Sequence, residues 1–109
     1  FNRQRGVNIC ARAAKTPVVA HYDADILLKP QQIIGAVKAI LDKSADLVYP
    51  YDGHFYDVPK IYHPKIVETK NLNCVNLEKC NLFNPHSVGG VVIFNRKHYW
   101  KCGGANENF

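Results

Sequence analysis

The clearest signal of the fold is an apolar run that ends in two acidic residues, Val18-Val19-Ala20-His21-Tyr22-Asp23-Ala24-Asp25. A short apolar run rich in β-branched residues predicts a buried strand, here over residues 18–22. The carboxylates at i and i+2 point the same way if the backbone stays extended beyond the strand. Because ligand crevices in open α/β sheets lie outside the carboxyl ends of strands, we expect Asp23 and Asp25 to border such a crevice.

Helical patterns flank this strand on both sides. Before it, apolar residues at i, i+3, i+4 and i+7 predict a helix over roughly residues 3–15, with the stripe Val7, Cys10, Ala11 and Ala14. After it, Pro30 suits the first turn of a second helix that ends at Asp42-Lys43-Ser44. The apolar face of that helix comprises Ile33, Val37, Ile40 and Leu41. With a strand at residues 47–49, this succession predicts an α/β layer with parallel strand pairing.

The second half of the chain is less regular. Between residues 51 and 84 the periodicity fades, which predicts a long excursion with one strand around Ile66 to Glu68. Residues 88–94 predict a strand with Gly89 and Gly90 early in it. Asn95 is placed to cap a short helix over residues 96–102, and Gly103 is placed to follow its end.

Composition bounds the class of protein. The 109 residues are the length of one small domain, with 47% hydrophobic residues and a formal net charge of +5. No Lys/Arg-rich run of the nucleic-acid-binding type occurs, so we expect no nucleic-acid partner. No apolar run is long enough to span a membrane. Cys74 and Cys80 either close a short disulfide loop or are free thiols.

Asp23-Ala24-Asp25 is suited to binding a divalent cation. Transfer of a sugar from a nucleotide diphosphate leaves a charged diphosphate, which a divalent ion neutralises as the bond breaks. Mn²⁺ and Mg²⁺ prefer oxygen ligands, and two carboxylates supply them. The pattern Asp-x-Asp is common by chance, and the alternative is a turn in which either acid caps the backbone.

Two ordered blocks of residues carry a family resemblance. The first runs from Phe1-Asn2-Arg3 through Asn8 and the apolar strand to Asp23-Ala24-Asp25-Ile26 and Pro30. The second runs from Val88-Gly89-Gly90-Val91 through Tyr99 to Gly103-Gly104-Ala105-Asn106-Glu107-Asn108-Phe109. Both are similar to the β-1,4-galactosyltransferases (family 7) and to related bacterial family 2 glycosyltransferases. The stretch between them, residues 51–87, matches these enzymes only loosely.

The resemblance implies a fold and an extent. The fold would be part of the GT-A, or nucleotide-diphospho-sugar transferase, architecture, an α/β three-layer fold with a mixed sheet. Residues 1–109 would be a partial catalytic domain, with nucleotide-binding strands before Phe1 and the catalytic base in a segment after Phe109. No catalytic residue is therefore assigned within the chain, and as an isolated polypeptide we expect it to be inactive. Without the preceding strands, we expect the sheet to expose an edge.

The resemblance also implies an activity and site residues. The full enzyme would transfer a hexose of the galactose type from a UDP-sugar to a glycan hydroxyl, using Mn²⁺ or Mg²⁺ and inverting the sugar. Donor-nucleotide contacts fall to Phe1, Arg3, Asp23 and Ala24, and metal binding falls to Asp23 and Asp25. The acceptor or sugar side comprises Gly89, Gly90, Asn106 and Glu107, with a structural role for Glu107 also open.

Several alternatives stay open. The chain is either catalytic, a non-catalytic carbohydrate- or nucleotide-binding module of the same fold, or a sugar nucleotidyltransferase. The aromatic residues of the excursion either stack on sugar faces or pack the loop onto the sheet. They are Tyr49, Tyr51, Phe55, Tyr56 and Tyr62, with His54 beside them. The lack of an Asn-x-Ser/Thr acceptor favours the cytoplasm of a bacterium or a virus-encoded enzyme over the Golgi lumen.

Overall fold

The structure is a computed structural model that describes residues 2–108, and it confirms an α/β domain. The elements in chain order are α1 (Arg3–Ala13), β1 (Val18–Tyr22), α2 (Pro30–Leu41), β2 (Leu47–Val48), β3 (Phe55–Asp57), α3 (His63–Thr69), β4 (Asn81–Asn84), β5 (Val91–Asn95) and α4 (Arg96–Lys101). Two regions differ in character. We call residues 2–50 with 88–108 the sheet layer, and residues 51–87 the excursion.

The sheet layer is built on three strands in the order β1-β5-β2. β5 is antiparallel to both neighbours, with Val18 opposite Asn95 and Leu47 opposite Phe94. The predicted parallel pairing is therefore wrong within residues 2–108, and both sheets found there are antiparallel. β1 and β2 do point the same way, but β5 returns from the excursion and lies between them.

The core lies where α2 packs on this sheet. Ile93 and Val91 of β5 are each 1% exposed, and Ile40 of α2 is 2% exposed. Burying one such side chain contributes about 1.5–3 kcal/mol. β1 was predicted to be buried, and this is wrong because Ala20 and Tyr22 are exposed. The outer edge of β1 pairs with no strand among residues 2–108, so one side of the strand meets solvent.

The helix boundaries follow their capping residues. α2 begins at Pro30, as predicted, and ends at Leu41 before Lys43 adopts a left-handed φ of 61°. Leu41 belonged to the predicted apolar face but is exposed, because it lies in the last turn beyond the edge of the core. α4 begins after Asn95, whose side chain accepts from the N–H of His98, as a capping residue should. Cys10 of the α1 stripe is exposed, whereas Ala11 is fully buried.

The excursion is folded, contrary to most of its sequence-based description. β3 and β4 form a separate two-stranded antiparallel sheet with a bulge between Phe55 and Tyr56. The strand predicted around Ile66 to Glu68 is wrong, because these residues lie in α3, where Pro64 occupies the favoured first turn. Single-turn 3₁₀ helices follow at Leu72–Cys74 and Leu77–Lys79. Both cysteines in this region, Cys74 and Cys80, are free thiols.

Candidate functional site

The acidic turn after β1 lies against the glycine pair that precedes β5. The backbone N–H of Asp23 donates to the carbonyl of Gly90 over 2.8 Å. The chain then turns, and the N–H of Ile26 donates to the carbonyl of Asp23 over 3.1 Å. Two sets of residues singled out in the sequence, from opposite halves of the chain, are therefore adjacent in the fold. The glycines were predicted inside the strand, but β5 begins only at Val91.

Arg3 reaches the acidic turn from the first turn of α1. Its Nη2 donates to both carboxylate oxygens of Asp23, over 2.7 and 3.0 Å. The two side chains are 56% and 35% exposed, so the ion pair contributes only about 0–1 kcal/mol to stability. Its consequence is positional, because the guanidinium is held beside the turn and keeps further N–H donors for a ligand. His21 places its Nε2 3.6 Å from the same carboxylate.

Asp25 is the accessible carboxylate of the turn. It is exposed, as is Ala24, whereas both oxygens of Asp23 already accept from Arg3. Across residues 2–108, no group of three or more His, Cys, Asp and Glu side chains is arranged to hold a metal ion. A cation at this turn would therefore need oxygens from substrate and water beside Asp25 and Asp23. Sites with one or two carboxylates plus substrate phosphates are usual for Mg²⁺, so the donor set fits Mn²⁺ or Mg²⁺.

Gly90 permits the close approach of the two turns. Its φ of +86° is in the region that favours glycine, and a Cβ there would lie 3.2 Å from Cγ1 of Ile26. A Cβ on Gly89 would meet no atom within 4 Å. The backbone of Gly89 therefore borders open space beside the acidic turn, where a ligand can approach it.

Two aromatic residues of the excursion stand beside this glycine pair. The hydroxyl of Tyr51 donates to the carbonyl of Gly89, and partial burial raises the pKa of Tyr51. The ring of Phe55 comes within 3.7 Å of the position that a Cβ on Gly90 would take. Tyr49 packs edge-on to Tyr51, with ring centroids 6.1 Å apart. The predicted aromatic set is thus divided, since Tyr62 lies away from it and lines a separate cavity.

Asn8 joins α1 to the segment that follows α4. It is 6% exposed, and its amide donates to the carbonyl of Ala105 over 2.8 Å and to Oε1 of Glu107 over 2.7 Å. Its Oδ1 accepts from the N–H of Ala105 over 2.9 Å and from the hydroxyl of Tyr99. All four hydrogen-bonding positions of the buried amide are therefore used, as burial of a polar group requires.

The two predicted acceptor-side residues at the C-terminal end have local partners. The carboxylate of Glu107 accepts from Asn8, and its backbone carbonyl accepts from the side chain of Asn2 over 2.7 Å. The side chain of Asn106 accepts from the N–H of Asn108 over 3.0 Å. Arg3 and Asn8 are five residues apart on α1, about 7.5 Å along its axis. Glu107 is consequently tied to the same helix that carries Arg3.

The structure thus brings part of the predicted site together. Arg3, Asp23, Ala24 and Asp25 lie together with Gly89 and Gly90, whereas Glu107 is bonded to Asn8 further along α1 and Asn106 has only a local partner. Phe1, predicted to contact the nucleotide, lies outside the described residues. The role of Asn8 as a buried hub was not predicted. Its signal in the sequence was a polar residue adjoining the apolar stripe at Val7 and Ala11.

Comparison with known proteins adds no relative. No family model, no curated protein and no solved structure matches this chain. Within residues 2–108, no helix is both long and apolar enough to cross a membrane.

Proposed function

We propose that this chain is part of a metal-dependent glycosyltransferase that transfers a hexose of the galactose type from a UDP-sugar to a glycan hydroxyl, with inversion. Its fold would be a portion of the GT-A three-layer architecture. The observation that carries the proposal is the packing of the Asp23–Asp25 turn against Gly89–Gly90. The turn proposed to bind the diphosphate would then lie next to the surface proposed to face the sugar.

The proposed donor side is supported by the charge of Arg3 and by the exposure of Asp25. Asp25 is exposed, and Arg3 is held at the same turn by Asp23. A diphosphate would accept from the remaining N–H groups of Arg3, which are charge-assisted donors. Mn²⁺ or Mg²⁺ held by Asp25 and Asp23 would supply Lewis-acid stabilisation of the diphosphate leaving group. The protein would hold the guanidinium of Arg3 beside the carboxylates of the acidic turn. The guanidinium would contact the diphosphate and the carboxylates would hold the metal, so that nucleotide and metal bind together.

The proposed acceptor side is supported by the shape of the surface around Gly89. The open space at Gly89 gives a sugar ring access to backbone, and Tyr51 and Phe55 border it with aromatic surface. The C–H faces of sugar rings are apolar and pack on aromatic rings. We assign no catalytic base within residues 2–108, because the resemblance expects that carboxylate after Phe109. Asn106 and Glu107 remain proposed acceptor-side residues, with Glu107 also holding Asn8.

The sheet supports a larger architecture. β1 and β2 point the same way, and the outer edge of β1 has no partner strand among residues 2–108. An apolar groove of about 320 Å³ runs beside that edge, bordered by Val18, Ala20, Ile33 and Val37. A strand added in parallel to β1 would make the sheet mixed, as the proposed fold requires.

The decisive experiment is calorimetric titration of UDP in the presence of Mn²⁺. We expect metal-dependent binding that Asp25→Asn weakens at least about tenfold, which corresponds to about 1.4 kcal/mol. Asp42→Asn is the matched control, because Asp42 is an exposed carboxylate at the far end of α2. It should leave the affinity within about twofold of the unaltered protein.

Two results would contradict the proposal. One is equal UDP affinity in the presence of Mn²⁺ and in the presence of a chelator. This result would mean that Asp23 and Asp25 bind no metal and only cap a backbone turn. The other is equal weakening by both substitutions, which would reduce the effect to net charge. Pyrophosphate release from UTP and a sugar 1-phosphate would instead identify a nucleotidyltransferase.

A further inference from the structure

A cavity within residues 2–108 lies in the excursion, away from the acidic turn. Its volume is about 530 Å³, within the range of small-molecule sites. It is formed where α3 packs against the single 3₁₀ turn at Lys60–Tyr62 and against Leu72–Cys74. Its lining residues are Pro59, Ile61, Tyr62, Lys65, Cys74 and Lys79. None of the site residues described above contributes to it.

One part of this cavity is apolar and aromatic. Ile61 lines the cavity and is 83% exposed, so its aliphatic side chain is open to a ligand. Pro59 and Tyr62 flank it and are half-buried. A proline ring, an aliphatic chain and a phenol together offer a rigid surface on which the C–H face of a sugar ring can pack.

The other part is cationic. Lys65 comes from α3 and Lys79 from the 3₁₀ turn at Leu77–Lys79, so two separate elements each contribute an exposed lysine to the lining of the same cavity. No carboxylate is part of the lining, and neither lysine belongs to any ion pair within residues 2–108. The surrounding residues 58–80 contain four lysines and two glutamates. The cavity therefore has charge complementary to an anion and no internal group to neutralise it.

We propose that this cavity binds an acidic sugar unit, a saccharide ring carrying a carboxylate or a phosphate ester. The ring would lie on Ile61 and Tyr62, and the anionic group would accept from Lys65 and Lys79. The inference rests on the proposed function in one respect, because it assigns this sugar to the acceptor glycan. The acceptor would then be an acidic polysaccharide, recognised at a distance from the transfer site.

The test is titration by calorimetry with two acidic probes, a disaccharide containing glucuronic acid and a disaccharide carrying a sugar 6-phosphate. A neutral disaccharide and inorganic phosphate serve as reference ligands. We expect at least one acidic probe to bind at least about tenfold more tightly than both references, and the stronger of the two identifies the anion. The double substitution Lys65→Gln with Lys79→Gln should weaken that binding about tenfold or more. Raising the salt concentration should weaken it as well.

The matched control is Lys60→Gln with Lys70→Gln, which removes the same charge from the same segment but not from the cavity lining. It should leave the affinity within about twofold. Equal losses in both double variants, or equal affinity for inorganic phosphate and the acidic sugars, would overturn the proposal. UDP titration with Mn²⁺ separates the two ideas. Saccharide binding without UDP binding would support the acidic-sugar site and contradict the transferase function. UDP binding without saccharide binding would support the transferase function and contradict the acidic-sugar site.

Discussion

The sheet layer and the excursion are stabilised in different ways. The sheet layer holds every side chain that is almost fully buried, including Ile40, Val91 and Ile93. In the excursion every side chain is half-buried or exposed, and several large apolar ones are open to solvent, with Ile61, Val67 and Phe83 above 70%. Its order comes from the short helix α3, from hydrogen-bonded turns and from one short strand pair. We infer that global stability resides in the sheet layer, whereas the excursion opens locally at lower cost.

The two regions meet beside the proposed transfer site. The ring of Phe55 lies 3.7 Å from the position that a Cβ on Gly90 would take, and Tyr51 donates to the carbonyl of Gly89. Arg3 and Asp23, the proposed donor side, belong to the stable region. The aromatic border of Gly89 and the cavity lined by Lys65 and Lys79 belong to the weaker one. Under the proposed function, the donor site would be rigid and the acceptor surface would adapt.

The largest expected effect concerns the core. Ile93→Ala should lower the free energy of unfolding by about 3–5 kcal/mol, because it leaves a cavity between the sheet and α2. Ile61→Ala is the matched substitution in the excursion. It should change the free energy of unfolding by less than about 0.5 kcal/mol. Urea denaturation followed by circular dichroism measures both. Similar losses at the two positions would mean that the excursion is part of the global folding unit.

An intermediate effect concerns glycines with positive φ. Gly104 has φ +74°, and a Cβ there would lie 2.8 Å from Oδ1 of Asn8 and 3.0 Å from the ring of Trp100. Gly104→Ala should therefore cost about 2–3 kcal/mol, from backbone strain and from disturbance of the buried amide. Gly53 of the excursion has φ +94° with ordinary contacts, so Gly53→Ala should cost only the strain, about 1–2 kcal/mol. Thermal unfolding of the two variants measures both losses of stability. A larger loss for Gly53→Ala than for Gly104→Ala would contradict the prediction.

The smallest effect is a pH response confined to the excursion. The backbone N–H of His54 and its ring both donate to the carboxylate of Asp52. These hydrogen bonds, the backbone one foremost, hold the pKa of Asp52 below its ordinary value. A depressed carboxyl pKa stabilises the turn at pH above the ordinary aspartate range, and this contribution is lost as the pH falls through the folded-state value. Carboxyl-detected NMR should show the low pKa. His54→Ala should return it only part of the way, because the backbone N–H remains; a full return would assign the shift to the ring.

Local patterns determined much of the sheet layer. Pro30 predicted the start of α2, Asn95 predicted the cap of α4, and the apolar run predicted β1 within its observed bounds. These signals are strong because each depends on a few neighbouring residues. The excursion was predicted poorly for the opposite reason. β3 and β4 are short and distant in sequence, and β4 is exposed along its whole length, so neither carries the alternation that marks a half-buried strand.

The acidic pair, the glycine pair and the helix ends could be recognised from the residues alone, because propensity, capping and spacing are local properties. The position of β5 between β1 and β2, which brings Gly90 to Asp23, is a property of the folded chain. The tertiary structure alone also showed that Asn8 is a buried hub and that Lys65 and Lys79 share a cavity. Pairing order and burial depend on contacts between distant segments, whose energies no local pattern records.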